Sequence, residues 1–250
     1  MSQQFLMEQG FQTGMNCLDA GCGAGEISGR LLTLTGSNGS VTGIDIDPES
    51  IEMAKKKFAG QKNINFKSFN LEHIQTDQFD AQFDIIYCRF ILCHLTNPLA
   101  LLKKLKKILK SNGVIIVEDI DSNGCFTIPK DPDQDLFIQL STQSMLLRNG
   151  NPYIGAQLHE LFQSAGLQIG DLRCHQLTGS KGDCKTFWLQ TFQCMRTSFI
   201  NDGLISEPEC NQLFTALEKF CSNPDTLIAL PRCILISGSS SQGSALPDLQ

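Results

Sequence analysis

Short apolar runs alternate with stretches of helical periodicity through roughly the first half of the chain, and this alternation restricts the fold more than any other feature. Runs of about four to eight apolar residues separated by amphipathic segments read as βαβ units, which build a mostly parallel sheet with helices on both faces. Strands are expected at Asn16 to Ala20, Ser40 to Asp45, Ile64 to Asn70, Phe83 to Phe90, Gly113 to Asp119, Leu167 to Leu177 and Leu227 to Ser237. Helices are expected at Glu26 to Leu34, Pro48 to Phe58 and Pro98 to Leu109, with a short or irregular crossover around Leu71 to Phe79.

After the fifth strand the rhythm changes. Asp121 to Gly150 reads as a loop followed by a helix that Asp131 and Pro132 open and Gly150 closes. A helix from Pro152 to Ala165 leads to the sixth strand. Two further helical patterns precede the seventh, the second opened by the capping box Ser206-Glu207-Pro208-Glu209. At 250 residues the chain sits near the upper limit of one α/β domain. The expectation is therefore a single doubly wound α/β domain over 1–237, with helical cap insertions at about 121–150 and 180–222 and a disordered polar tail over 238–250.

Composition excludes several function classes. A formal charge of −6 gives no general attraction to nucleic-acid phosphates, so no nucleic-acid partner is expected. The basic run Leu101 to Lys110 has its apolar residues at helical spacing between two strands, which reads as the solvated face of a core-packed helix. Met1 to Gln12 lacks a basic segment followed by a long apolar run, and no stretch is apolar enough to span a bilayer. No membrane partner and a cytoplasmic location are expected. The eleven cysteines are odd in number and form no C-x-x-C pair, which argues against a disulfide framework and against a zinc site, so no metal is expected.

The chemistry concentrates at the junction of the first strand and first helix, Asp19-Ala20-Gly21-Cys22-Gly23-Ala24-Gly25-Glu26. Glycines at every second position let a ligand approach the backbone at a helix N-terminus. A dinucleotide fingerprint, G-x-G-x-x-G, would need its third glycine where Glu26 stands. The D-x-G-x-G-x-G pattern instead resembles motif I of the seven-stranded, class I S-adenosylmethionine-dependent methyltransferases. Asp45 ends the second strand about 20 residues after the glycines, where a carboxylate can accept hydrogen bonds from ribose hydroxyls. Asp47 competes for this role, but it precedes Pro48 and a helix and is better placed as an N-cap. Asn70 ends the third strand, and Phe83 to Leu95 and Gly113 to Asp119 match the family's fourth and fifth strands.

The resemblance covers Asn16 to Asp121 most closely and implies strand order 3-2-1-4-5-7-6 with S-adenosyl-L-methionine as cofactor. It places Asp19, Gly21, Cys22, Gly23, Gly25 and the backbone near Arg89 around the methionyl part, Asp45 and Ile46 at the ribose, and Asn70 and Leu71 at the adenine. Many relatives carry a longer segment ahead of the first strand that folds over the cofactor, which leaves closure from that side open here. The implied reaction is methyl transfer to a small-molecule acceptor by in-line displacement. The alternative is a non-catalytic cofactor-binding or regulatory protein of the same fold, with a nicotinamide-dependent oxidoreductase behind both. The N/D-P-P-Y/F box of amino-methyltransferases is absent after the fourth strand, where Tyr87-Cys88-Arg89-Phe90 stands. No catalytic residue is assigned. His94 is a weak candidate for a general base, and Glu118, Asp119 and Asp121 are candidates for lining a substrate pocket. The apolar faces carrying Leu136, Phe137, Leu140, Met145 and Leu146, and Phe187, Trp188, Phe192, Met195 and Phe199, are expected to cap an apolar acceptor pocket.

Overall fold

The computed structural model describes residues 3–74, 79 and 82–240. It divides into two compact units, residues 1–119 with 157–173 and 235–250, and residues 120–156 with 174–234. The sequence predicts one domain with insertions at about 121–150 and 180–222, and both fall inside the second unit.

The first unit is built on a seven-stranded sheet. Its strands are β1 (Asn16–Ala20), β2 (Ser40–Asp45), β3 (Ile64–Ser68), β4 (Phe83–Arg89), β5 (Leu109–Asp121), β7 (Gln168–His175) and β10 (Arg232–Ser239), in the order β3-β2-β1-β4-β5-β10-β7. With β7 and β10 as the sixth and seventh strands, this is the order implied by the class I resemblance. β1 runs parallel to β2 and β4, β2 to β3, and β4 to β5. Both faces of the central strands are covered, so Leu18 and Asp19 are alike buried and the run reads as continuous rather than alternating.

Helix α1 (Gln3–Glu8), not expected from the sequence, buries Phe5 and Leu6 in a core with Cys17, Ile27, Leu31, Val41, Ile85, Tyr87 and Ile116. Helix α2 (Glu26–Thr35) supplies Ile27 and Leu31 to that core. A smaller core joins Cys22 and Phe66 to Ile51 and Ala54 of α3 (Pro48–Lys57). Asp47 caps α3 by accepting the N–H groups of Glu49 and Ser50, both at 3.1 Å, and Pro48 occupies the first helical position, where no N–H is needed. Helix α4 (Pro98–Lys107) buries Leu101, Leu102 and Leu105, while Lys103 and Lys107 remain in solvent. The expected crossover at Leu71 to Phe79 starts as a single 3-10 turn, Leu71–His73; residues 75–78 lie outside the described residues.

Of the boundaries that differ from expectation, three have local reasons. β5 starts four residues early, because its pairing with β4 shifts register between Phe83 and Ile85 and takes in the segment from Leu109. The helix expected from Pro152 to Ala165 is a 3-10 turn, Ile154–Gln157, followed by α6 (Leu158–Ser164). The expected seventh strand breaks in two at Leu230-Pro231, since proline cannot donate to a ladder. Its first part, β9 (Leu227–Ala229), instead pairs antiparallel with β6 (Phe126–Ile128) and β8 (Thr178–Gly179) in a separate three-stranded sheet of the second unit. Gly238 and Ser239, expected in the tail, finish β10; residues 241–250 lie outside the described residues.

The second unit packs α5 (Pro132–Leu147), α7 (Asp183–Asn201) and α8 (Glu207–Ser222) around an aromatic core. Phe137 meets Trp188 and Phe192 edge-on at centroid distances of 4.8 and 5.1 Å, and Phe192 stacks on Phe214 at 5.6 Å. The Trp188 indole N–H donates to Gln134 Oε1 at 2.7 Å. Phe137, Leu140, Trp188, Phe192 and Phe199 therefore fill this unit's own core and do not line an acceptor pocket, which corrects the cap expectation for those five side chains. The period of 3.6 located the apolar faces correctly but could not say what covers them. Leu136, Leu146 and Phe187 are exposed.

Candidate active site at the glycine loop

The loop leaving β1 is held in a shape that only glycine adopts freely. Gly21, Gly23 and Gly25 have φ of 83°, 50° and 81°. The N–H groups of Gly21 and Cys22 both donate to Ile44 O, at 2.7 and 3.0 Å, and Gly25 N–H donates to Cys22 O at 2.9 Å. The three glycines have different surroundings. A Cβ on Gly21 would drive into the Ile91 side chain, and one on Gly25 would press on Phe58 and Phe66. A Cβ on Gly23 would meet nothing within 4 Å. Open space thus lies against the backbone at the middle glycine alone.

Asp45 closes the far side of the loop. Its Oδ2 accepts Gly23 N–H at 2.8 Å and its Oδ1 accepts Asp47 N–H at 3.0 Å, so the end of β2 and the glycine loop are tied through one half-buried carboxylate. Ile46 beside it is exposed. Asn70 Oδ1 accepts Glu72 N–H at 2.9 Å and opens the 3-10 turn, leaving its amide N–H groups and a second carbonyl lone pair for a ligand; Leu71 is buried. Cys22 is also buried, and burial pushes its thiol well above the usual range, which makes it packing rather than a nucleophile.

Asp19 lies under the loop with 1% of its surface exposed. Burial pushes its carboxyl up to about 7, against the lowering effect of hydrogen bonds from Ser28, whose hydroxyl donates to Asp19 Oδ2 at 2.5 Å. Ser28 was not singled out from sequence, although its place on the buried face of α2 beside Ile27 and Leu31 is a legible signal. Because the folded state holds this proton longer than the unfolded chain, the contribution of Asp19 to stability is full below pH about 4 and is lost as pH rises through about 7. Asp19→Asn is expected to remove that loss, so the melting temperature of the variant relative to the native protein should rise between pH 5 and pH 7.5. A constant difference across this range would rule out the protonated Asp19.

Arg89 ends β4. In the parallel pairing Ala20 lies opposite Cys88, so Arg89 stands level with Gly21. Its side chain turns to the acidic neighbour Glu118, Nε to Oε2 3.5 Å, and its guanidinium carbon lies 4.7 Å from the centre of the Phe90 ring. Tyr87 hydroxyl donates to the same Glu118 oxygen at 2.7 Å. Phe90 has a φ of 53°, rare for an aromatic residue, while its N–H donates to Glu118 O at 2.9 Å. What Arg89 offers the methionyl site is therefore its backbone.

Glu118, Asp119 and Asp121 are all buried and engaged with the protein: Asp119 accepts Cys93 N–H at 3.2 Å and Asp121 accepts from Arg232 at 2.7 Å. They hold structure where the sequence reading allowed a substrate role. His94 is exposed at the end of a 3-10 turn, Leu92–His94, and its ring makes no hydrogen bond among the described residues.

The donor set suits the class I cofactor: a glycine backbone cradle open at Gly23, a carboxylate at the end of β2 and an asparagine that, since β3 stops at Ser68 and not at Asn70 as expected, caps the 3-10 turn two residues beyond the strand. The model for a methyltransferase domain matches residues 11–166, and the chain belongs to that family, with the S-adenosylmethionine-dependent class I fold. A demethylmenaquinone methyltransferase of Staphylococcus aureus is 30% identical over 114 residues, 46% of each chain. An uncharacterised methyltransferase of Schizosaccharomyces pombe is 31% identical over 147 residues, 56% of this chain and 52% of that one. The chain spans about half the length of the curated relatives it matches. A candidate methyltransferase of Bacillus halodurans superposes with a TM-score of 0.64 over 96% of this chain and 98% of its own, at 16% identity, a likeness of fold.

Proposed function

We propose that the chain transfers a methyl group from S-adenosylmethionine to a small-molecule acceptor. The observation that carries this reading is the glycine loop itself, open against the backbone at Gly23 and tied through Gly23 N–H to Asp45. Asp45 and Ile46 would hold the ribose, Asn70 and Leu71 the adenine, and Gly21, Cys22, Gly23, Gly25 and the Arg89 backbone the methionyl part, with Asp19 beneath. The cofactor supplies a methyl group already activated on a sulfonium, so the protein's task is to bind, align and exclude water. A dedicated general base is optional, which fits a site whose carboxylates at β5 are engaged in structure. A small-molecule acceptor is supported by the demethylmenaquinone methyltransferase relative. No described helix is long and apolar enough to cross a membrane.

Incubation with methyl-labelled cofactor and a cell metabolite extract tests the reading. Release of S-adenosylhomocysteine with label in a small-molecule fraction is the expected result. Cofactor binding without turnover would favour a regulatory protein of the same fold, and a melting shift with NADH in place of S-adenosylmethionine would favour an oxidoreductase.

A further inference from the structure

Arg89 is a cation at the carboxyl edge of the sheet whose donors are unspent. Its Nε is buried with no hydrogen-bond partner, and the 3.5 Å approach to Glu118 is an ion pair without hydrogen-bond geometry. No hydrogen bond from its guanidinium is found among the described residues. An arginine carries five N–H donors in a fixed fork; leaving the buried Nε–H unmet is costly, and the 32% of the side chain that is exposed leaves the terminal donors open to a ligand. The group is also fixed in place: Tyr87 hydroxyl holds the Glu118 oxygen that faces it, and the Phe90 ring lies against it. The Phe90 ring, 4.7 Å from the guanidinium carbon, takes up one side of the group, and the donors that it does not use remain for a planar partner. Phe90 keeps this place at the cost of a left-handed backbone, and backbone strain of that kind collects at ligand sites.

We propose that Arg89 receives a carboxylate of the acceptor. This rests on the methyl-transfer reading and adds the class of acceptor, a small organic acid. The fork matches a carboxylate in two parallel hydrogen bonds. A phosphate dianion fits less well, because one guanidinium shared with Glu118 cannot balance two further charges. Ligands of open α/β sheets lie beyond the carboxyl ends of the strands, and Arg89 stands at that edge, level with Gly21.

The test uses 4-fluorobenzoate as probe, followed by fluorine NMR on the chain saturated with S-adenosylhomocysteine, with 4-fluorobenzamide and phenyl phosphate as the neutral and dianionic comparisons. Benzoate is expected to bind at least about tenfold more tightly than either, and Arg89→Met to weaken it by about tenfold or more, a larger factor than any accompanying loss of S-adenosylhomocysteine affinity. Arg89→Lys, which keeps the charge and loses the fork, should fall between, and it carries the test if the methionine variant does not fold. The proposal is overturned if benzoate does not bind, if the amide or the phosphate binds as well, or if the variants keep benzoate. It is also overturned if they lose S-adenosylhomocysteine instead, since the guanidinium would then serve the cofactor's own carboxylate. Failure of the native chain to bind S-adenosylhomocysteine would sink the functional reading itself, a separate outcome.

Discussion

Asp45→Ala is expected to weaken S-adenosylmethionine binding by about 100-fold, whereas Asp47→Ala should change it by no more than a few-fold. Hydrogen bonds to a charged group are worth roughly 1.5–3 kcal/mol each, so losing a pair to the ribose costs about 3 kcal/mol or more. The structure adds a second effect, because Asp45 Oδ2 also holds Gly23 N–H at 2.8 Å, and the variant frees the loop at its one open glycine. Asp47 spends its carboxylate on Glu49 and Ser50 as a helix cap. Its carboxyl is held below the usual range by the Ser50 hydroxyl and by those two N–H groups, as befits a cap. Calorimetric titration of both variants decides between them. Equal losses in two folded proteins would show that Asp45 does not hold the ribose.

Gly23→Val is expected to abolish cofactor binding in a protein that still folds. The added Cβ meets no protein atom within 4 Å, and the side chain grows into the space that Gly23, unlike Gly21 and Gly25, leaves open against the loop backbone. The cost to the fold is the left-handed backbone, φ 50°, which for a β-branched residue is about 1–2 kcal/mol, or roughly 2–8 °C in melting temperature for a domain of this size. Circular dichroism and titration read the two effects separately, and retained affinity would reduce the loop to a simple turn. Gly21→Ala would not serve, since its Cβ drives into Ile91 and a loss of binding could follow from misfolding alone.

The legibility of this molecule follows the range of the forces involved. β1 and β2 run over the same residues the apolar pattern marks, and α2, α3 and α4 begin at the expected residues, because a 3.6-residue period, a capping aspartate or asparagine and a proline at the first turn are local signals. Elements set by distant partners escaped. α1 is only six residues long and exists because Phe5 and Leu6 reach a core assembled by five strands and a helix, and β6 and β8 are too short to show a period at all. In the site, glycine spacing and the acid at the end of β2 were visible, as was the assignment of Asp47 to the cap of α3.

Sequence by itself determined the order of the βαβ units, the glycine loop and the chemistry of the residues around it, since each depends on neighbours a few positions away. Only the tertiary structure decided which glycine leaves room for a ligand, that Ser28 holds Asp19, and that Tyr87 and Glu118 hold Arg89 with its donors free. It also decided that Phe137, Trp188 and Phe192 cover one another instead of a pocket. The reason is common to all four: a periodic pattern states which side of an element is apolar or polar, and the identity of what meets that side is a property of contacts between residues far apart in the chain.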